Sequence, residues 1–275
     1  MARVRIIGHR GAGQGFVDPD GPPENTLPAF EAGWASGANA CELDVQLTAD
    51  GQVLAIHDDT TDRTTGTSWI VADHTAAELQ ALDAGRWKHD RWAGTRLPLL
   101  DEVLAAIPEG RGLFIELKDG PQIVPATVQA IRRSNKSASQ LVLISFDIDT
   151  IAAAKSALPE INCLLVVSFR NEGARGRWTV HYNEGPEFSA VSAHADAKSL
   201  VQLIRKHGLD GIDSSVTMPA SLVTAVRRAG LKLGTWTVNE LEDALELVEC
   251  GVSDLTTDRP AAMRAALQRA GVTLA

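Results

Sequence analysis

Three pairs of side chains in this sequence could do chemistry together: His9 with Arg10, Glu42 with Asp44, and Glu116 with Lys118. Each pair closes or interrupts a short apolar, β-rich run. Glu42 and Asp44 are two residues apart, as are Glu116 and Lys118, so on strands each pair points to one face. If those strands are neighbours, about 4.8 Å apart, three carboxylates and a lysine meet in one small volume. Three buried negative charges beside one lysine do not persist without another cation, because each uncompensated carboxylate is costly or takes up a proton. A bound divalent ion resolves the conflict. All-oxygen ligation points to a hard ion, Mg2+ or Ca2+, with Mn2+ a further candidate. The competing reading is an ionic network in which Glu42 or Asp44 merely pairs with Lys118 or Arg10.

His57 follows the apolar stretch from Val53 to Ile56, and His9 follows the first strand-like run. Both strand ends would face the proposed ion. Two imidazoles across a phosphate would supply one proton acceptor and one donor near neutral pH. His74, His89, His181, His194 and His207 are read as structural. Trp236, in Thr235-Trp236-Thr237-Val238-Asn239, either fills the core or packs on the carbon face of a glycerol or sugar. Gly11, Gly13 and Gly15 do not have G-x-G-x-x-G spacing and read as turn-formers; neither a phosphate-binding G-x-x-x-x-G-K-[ST] loop nor a G-x-S-x-G elbow is present.

These residues need a frame, and the runs that carry them suggest one. Strand-like segments recur at Val4 to Gly8, Ala40 to Val45, Leu113 to Leu117, Leu141 to Ser145, Cys163 to Val167, Gly211 to Asp213, Lys232 to Val238 and Ser253 to Thr257. Amphipathic helical stretches separate them, which implies parallel strands with crossover helices. Asn25 or Thr26 can cap the first helix, Asp147 and Pro219 open others, and Asn239 caps a helix through Leu241, Leu245 and Val248. Helices end near Gly37, Gly208, Gly230 and Gly251. Eight such units fit an α/β fold closed as a (β/α)8 TIM barrel, in which the loops after the strands hold the active site.

Two segments break the rhythm. Residues from about 58 to 97 hold Trp69, Trp87 and Trp92 with turn residues. They read as a small inserted subdomain after the second barrel strand, preceded by an extra strand from Gln52 to Ile56, within a single domain spanning 1–275. The stretch from Phe169 to Asp196, with Arg170, Arg175, Arg177, Trp178 and Tyr182, reads as a long loop: a lid, a binding loop or a contact in a homo-oligomer.

The chain of 275 residues has ordinary globular composition, 44% hydrophobic and 22% charged, and a net charge of -9. That acidic balance disfavours nucleic acid and anionic lipid surfaces as partners. Strand-like sequence begins at Val4, leaving no room for an export signal, and no apolar run reaches the roughly 18 residues of a membrane span. The expectation is a cytoplasmic protein without stable membrane insertion. Cys41, Cys163 and Cys250 are too scattered for a zinc site and read as reduced packing residues.

In order along the chain stand Gly8-His9-Arg10-Gly11, Glu24-Asn25-Thr26, Glu42-Leu43-Asp44-Val45, His57-Asp58, Asp62-Arg63-Thr64-Thr65, Glu116-Leu117-Lys118, Trp236-Thr237-Val238-Asn239 and Thr257-Asp258-Arg259-Pro260. This ordered set resembles the glycerophosphodiester phosphodiesterase family. The insertion after the second strand resembles that family's insert as well. The resemblance implies a hydrolase that uses one divalent cation to convert glycerophosphodiesters to sn-glycerol 3-phosphate and an alcohol, in glycerol and lipid metabolism. It implies that Glu42, Asp44 and Glu116 bind the metal and that His9 and His57 act as acid and base. Arg10 and Lys118 would contact phosphate, and Glu24 would support the metal site or hold Arg10. The segment between His9 and Glu24, with Asp18 and Asp20, and the long arginine-containing loop depart from compact members, which bears on the substrate more than on the reaction. The alternative is a lipid-acting member, of lysophospholipase D or cyclic-phosphate-releasing type, in which Trp69, Trp87 and Trp92 help to build an apolar channel.

Overall fold

The recurring β-rich runs close into a ring in the computed structural model, which describes residues 3–12, 18–171, 178–184, 189–194 and 196–275. In chain order the strands are β1 (Arg5–Gly8), β2 (Ala40–Leu47), β3 (Val53–Ala55), β4 (Gly112–Leu117), β5 (Leu141–Ser145), β6 (Asn162–Asn171), β7 (Trp178–Glu184), β8 (Ser189–His194), β9 (Gly211–Ser215), β10 (Lys232–Trp236) and β11 (Asp254–Thr257). Around the ring the order is β5, β4, β2, β1, β11, β10, β9, β6, and β6 pairs back with β5. Every one of these pairings is parallel, giving the (β/α)8 barrel.

Strand periodicity divides the core in two. Cys41, Leu43, Val45, Leu113, Ile115 and Leu117 point outward and pack with the helices in one large cluster. Ile7, Ala40, Phe114, Val142, Ile144, Leu164 and Val166 form a separate cluster inside the barrel. Glu42 and Asp44 continue the inward series begun by Ala40, and Glu116 and Lys118 continue the one through Phe114. The lumen therefore passes from apolar to charged toward the strands' carboxyl ends, where β/α barrels carry their sites.

The extra strand after β2 is β3, paired antiparallel with it from Val45–Ala55 to Leu47–Val53. Beyond it come short helices at Asp62–Thr65 and Ala76–Gln80, and 3-10 turns at Val71–Asp73 and Asp90–Trp92. Leu54, Ile56, Val71, Leu79, Ala84 and Leu97 form their own apolar cluster, with Trp69 packed against it. Trp69 stacks on His74, Trp87 Nε1 donates to Ala84 O, and Trp92 Nε1 donates to Asp20 O. None of these three tryptophans lines the barrel-mouth cavity, so no apolar channel is built from them there.

The stretch expected as a long loop after the fifth barrel strand is largely strand. β6 runs on to Asn171, β7 pairs with it antiparallel, and β8 pairs with β7. Alternation of Trp178, Val180 and Tyr182, which pack on the core, with Thr179 and His181 is a strand pattern that the neighbouring polar and glycine-rich residues obscure. Arg175 and Arg177, like Gly13 and Gly15, lie outside the described residues.

Of the residues expected to cap helices, Asn25 and Asn239 do not hold the N-cap position. Thr26 holds the N-cap position of the first helix, but its hydroxyl donates to Pro23 O. Asn25 turns its amide to Asp44, and Asn239 turns its amide to Asp258 while Glu240 takes the N-cap position. Asp147 does cap its helix, accepting from Thr150 N. All three cysteines are free. Cys41 faces the helix side, its Sγ near Phe30 O. Among the described residues no helix is long and apolar enough to cross a membrane.

Candidate active site

At the barrel mouth a cavity of about 290 Å³ is lined by His9, Arg10, Glu42, Asp44, His57, Glu116, Lys118 and Trp236, together with Ile144, Phe146, Val166, Asp213, Thr237 and Thr256. Every expected site residue except Glu24 lines it. Asp44 and Glu116 are direct register partners on β2 and β4. Ligand oxygens of Glu42, Asp44 and Glu116 all lie within 4.8 Å of one another.

The cations here are shared. Lys118 Nζ donates to Glu116 Oε1 at 3.0 Å and lies 3.6 Å from Asp44. Arg10 Nε is 3.3 Å from Asp44, and Arg10 Nη1 donates to Glu24 Oε1 at 2.8 Å. The ionic network weighed as a competing reading therefore exists, but it stops short of Glu42. Glu42 Oε2 accepts from the Arg10 backbone N–H at 2.8 Å, whereas Glu42 Oε1 is buried without a hydrogen-bond partner.

The electrostatics follow from that imbalance. Burial, with Asp44 and Glu116 beside it, pushes Glu42 well above the usual carboxylate range. Burial also raises Glu116, although Lys118 opposes the shift. Burial would lift Asp44 too, but Arg10 and Lys118 outweigh it and hold that carboxyl well below its ordinary value. An orphaned buried oxygen within an oxygen-only cluster of three acids fits a hard divalent cation.

Each histidine is backed by a carboxylate. His9 Nδ1 is 2.7 Å from Asp258 Oδ1, and His57 Nδ1 is 2.6 Å from Asp58 Oδ1. Burial notwithstanding, hydrogen bonds from His9 and Asn239 keep Asp258 low, and those from Arg63 and His57 keep Asp58 low. Both carboxyls are thus ionised acceptors, so Nδ1 of each ring carries the proton. His9 Nε2 then faces the acidic cluster, 4.0 Å from Glu42 Oε2.

Further polar residues hold this array. Asn25 Nδ2 donates to Asp44 Oδ2 at 2.9 Å, and its Oδ1 accepts from Asp44 N–H. Arg63 bridges Asp58 and both oxygens of Glu24. Asn239 Nδ2 donates to Asp258 Oδ2 at 2.7 Å. Arg10 and Asn25 adopt left-handed φ of 50° and 54°, a costly conformation for residues with a Cβ, and Asn25 N–H donates to Arg10 O. Gly11, at φ 91°, closes the turn after β1, where an added Cβ would meet Ala29 backbone at 2.5 Å.

Asp58, Arg63, Asn239 and Asp258 all stand within the family-like motifs; Asp58 meets His57 and Arg63 locally, whereas Arg63 with Glu24, Asn239 with Asp258 and Asp258 with His9 span 39, 19 and 249 residues and left no mark in spacing. Asp213 carries no such signal: only its place at the end of a strand pattern marked it. Trp236 stands edge-on to Phe146, ring centroids 5.6 Å apart, and is only partly buried, so it lines the cavity instead of filling the core.

The chain matches the glycerophosphoryl diester phosphodiesterase family over residues 9–262. A glycerophosphodiester phosphodiesterase of Caldanaerobacter subterraneus subsp. tengcongensis is 31% identical over 263 residues, covering 94% of this chain and 95% of that one. The solved structure of an Oleispira antarctica phosphodiesterase, in complex with the product sn-glycerol 3-phosphate, superposes with a TM-score of 0.80 at 24% identity, covering 97% of each chain. That of a glycerophosphodiester phosphodiesterase from Agrobacterium tumefaciens gives 0.71 at 27% identity, covering 95% of this chain and 99% of that one.

Proposed function

The chain belongs to the glycerophosphoryl diester phosphodiesterase family, a family of enzymes, and from that membership we propose that it hydrolyses glycerophosphodiesters to sn-glycerol 3-phosphate and an alcohol, using a divalent cation and two histidines. One observation carries the reading: His9 and His57, each backed by an ionised carboxylate, flank a cluster of three acids whose charge the neighbouring cations leave incompletely matched.

Glu42, Asp44 and Glu116 would hold the cation, Mg2+ or Ca2+, which when bound supplies Lewis-acid polarisation of a phosphate oxygen. Arg10 and Lys118 offset charge that builds on the remaining phosphate oxygens. Asp258 and Asp58 fix the Nδ1–H tautomer, which leaves Nε2 of each imidazole free to take or give a proton. One histidine removes the proton of the glycerol 2-hydroxyl as it attacks phosphorus, and the other protonates the departing alcohol oxygen. Water then opens the cyclic phosphate with the two roles exchanged. Glu24, paired to Arg10 and Arg63, acts as a positioning residue.

Purified protein incubated with glycerophosphocholine, with and without EDTA, tests the reading. Glycerol 3-phosphate should accumulate only when Mg2+ or Ca2+ is supplied, and lysophosphatidylcholine should be a poorer substrate. Undiminished turnover in EDTA, or preference for the acylated substrate, would contradict it.

A further inference from the structure

Asp213 is the carboxyl among the cavity-lining residues that the proposed reaction leaves unused. It faces the lumen from β9 and is only 2% exposed. No described residue hydrogen-bonds to its carboxyl, and it stands outside the acids close enough to share an ion. Gly234 on β10 makes the room for it, since a Cβ there would lie 2.6 Å from Asp213 Oδ1. A buried carboxyl without a partner forfeits its hydration, so one aimed into a cavity is suited to a group that enters the cavity.

Register sets its depth. Asp213 pairs with Gly234 and Ser215 with Trp236, so Asp213 lies one inward-facing position below Trp236. Val166 is its register partner on β6, and Ile144 lines the same side. A carbon-lined recess with one carboxyl at its inner end fits the carbon face and end hydroxyl of a short polyol. The leaving alcohol would then extend outward past Phe146 and Trp236. Burial, with the charges of Asp254 and Glu116, pushes Asp213 well above the usual carboxylate range, so it can donate as well as accept.

Resting on the reaction proposed above, we infer that Asp213 hydrogen-bonds the terminal hydroxyl of the substrate's glycerol and so selects diesters in which that hydroxyl is free. Asp213 is thus a specificity-determining residue for the glycerol half of the substrate.

The test compares glycerophosphocholine with 2-hydroxypropyl phosphocholine, which keeps the attacking 2-hydroxyl and lacks only the terminal one. With the cation-loaded enzyme, kcat/KM should favour glycerophosphocholine by roughly 10- to 100-fold, the effect of one buried hydrogen bond. Asp213→Ala should bring the ratio within about threefold of one by losing activity on glycerophosphocholine alone, and Asp213→Asn should restore most of it. A ratio near one in the unaltered enzyme, which needs no variant, or an unchanged ratio in folded Asp213→Ala, would overturn the inference while the reaction stands. Failure of the unaltered enzyme to release glycerol 3-phosphate from glycerophosphocholine would overturn both.

Discussion

On the β1, β2 and β4 side of the barrel mouth, His9, Arg10, Glu42, Asp44, Glu116 and Lys118 crowd opposite charges into one wall. Across the lumen, on β5, β6, β9 and β10, the wall is Ile144, Phe146, Val166 and Trp236 with Asp213 set low among them. The first wall is held by a hydrogen bond from Asn25 and by bonds that Glu24 and Asp258 accept, the second by ring and aliphatic packing. Chemistry that must neutralise phosphate and move protons needs fixed charge; recognition of a carbon chain needs shape. Damage to the charged wall should therefore appear in kcat or in metal affinity, and damage to the carbon wall in KM.

The sharpest way to break this division is to remove an imidazole. His9→Ala or His57→Ala should lower kcat at least about 100-fold in steady-state assays, in line with general acid-base contributions. A loss below about threefold would exclude that residue from proton transfer. One step out, Asp258→Asn leaves the ring of His9 but not the anion behind it, and should lower kcat by roughly 10- to 100-fold with little change in KM. A KM effect alone would move Asp258 out of the charged wall's machinery.

Acid should loosen the charged wall before the carbon one. Burial opposes ionisation of Glu24, Asp44 and Asp258, yet their cationic and hydrogen-bonding partners win, and each ionises more readily folded than unfolded. Their stabilisation is complete above the ordinary carboxylate range and is lost as pH falls through their lowered values. In the metal-free protein Glu42 and Glu116, shifted the other way, gain from protonation and offset this loss; with the cation bound, Tm should hold near neutrality and fall below about pH 4, less steeply in Asp258→Asn. The smallest expected effect is on the far side: Trp236→Leu should raise KM by about threefold to tenfold while kcat is kept, an effect of roughly 1 kcal/mol.

Strand order and inward alternation were legible because period-two patterning is local: Ala40, Glu42 and Asp44 announce one face of one strand. The same locality made the cluster of Glu42, Asp44 and Glu116 readable once neighbouring strands were assumed. Asn25 and Asn239 misled for a related reason. Each stands where a helix begins, and an amide there normally caps, but both are drawn to buried carboxylates far along the chain. Asp258 likewise meets His9 only where β1 and β11 come together, and Arg63 reaches Glu24 across 39 residues, separations that spacing does not encode. Asp213 became visible only with β10 beside it, where a glycine leaves space for a carboxyl.

As a metal-binding cluster, Glu42, Asp44 and Glu116 should repel one another until a divalent cation joins them. Thermal unfolding of EDTA-treated enzyme, titrated with Mg2+ and separately with Ca2+, measures this directly. Saturation with one of them should raise Tm by about 5 °C or more, and Glu42→Gln should raise the Tm of the metal-free form while abolishing the response. A Tm unmoved by either ion, together with a destabilised Glu42→Gln, would contradict the account.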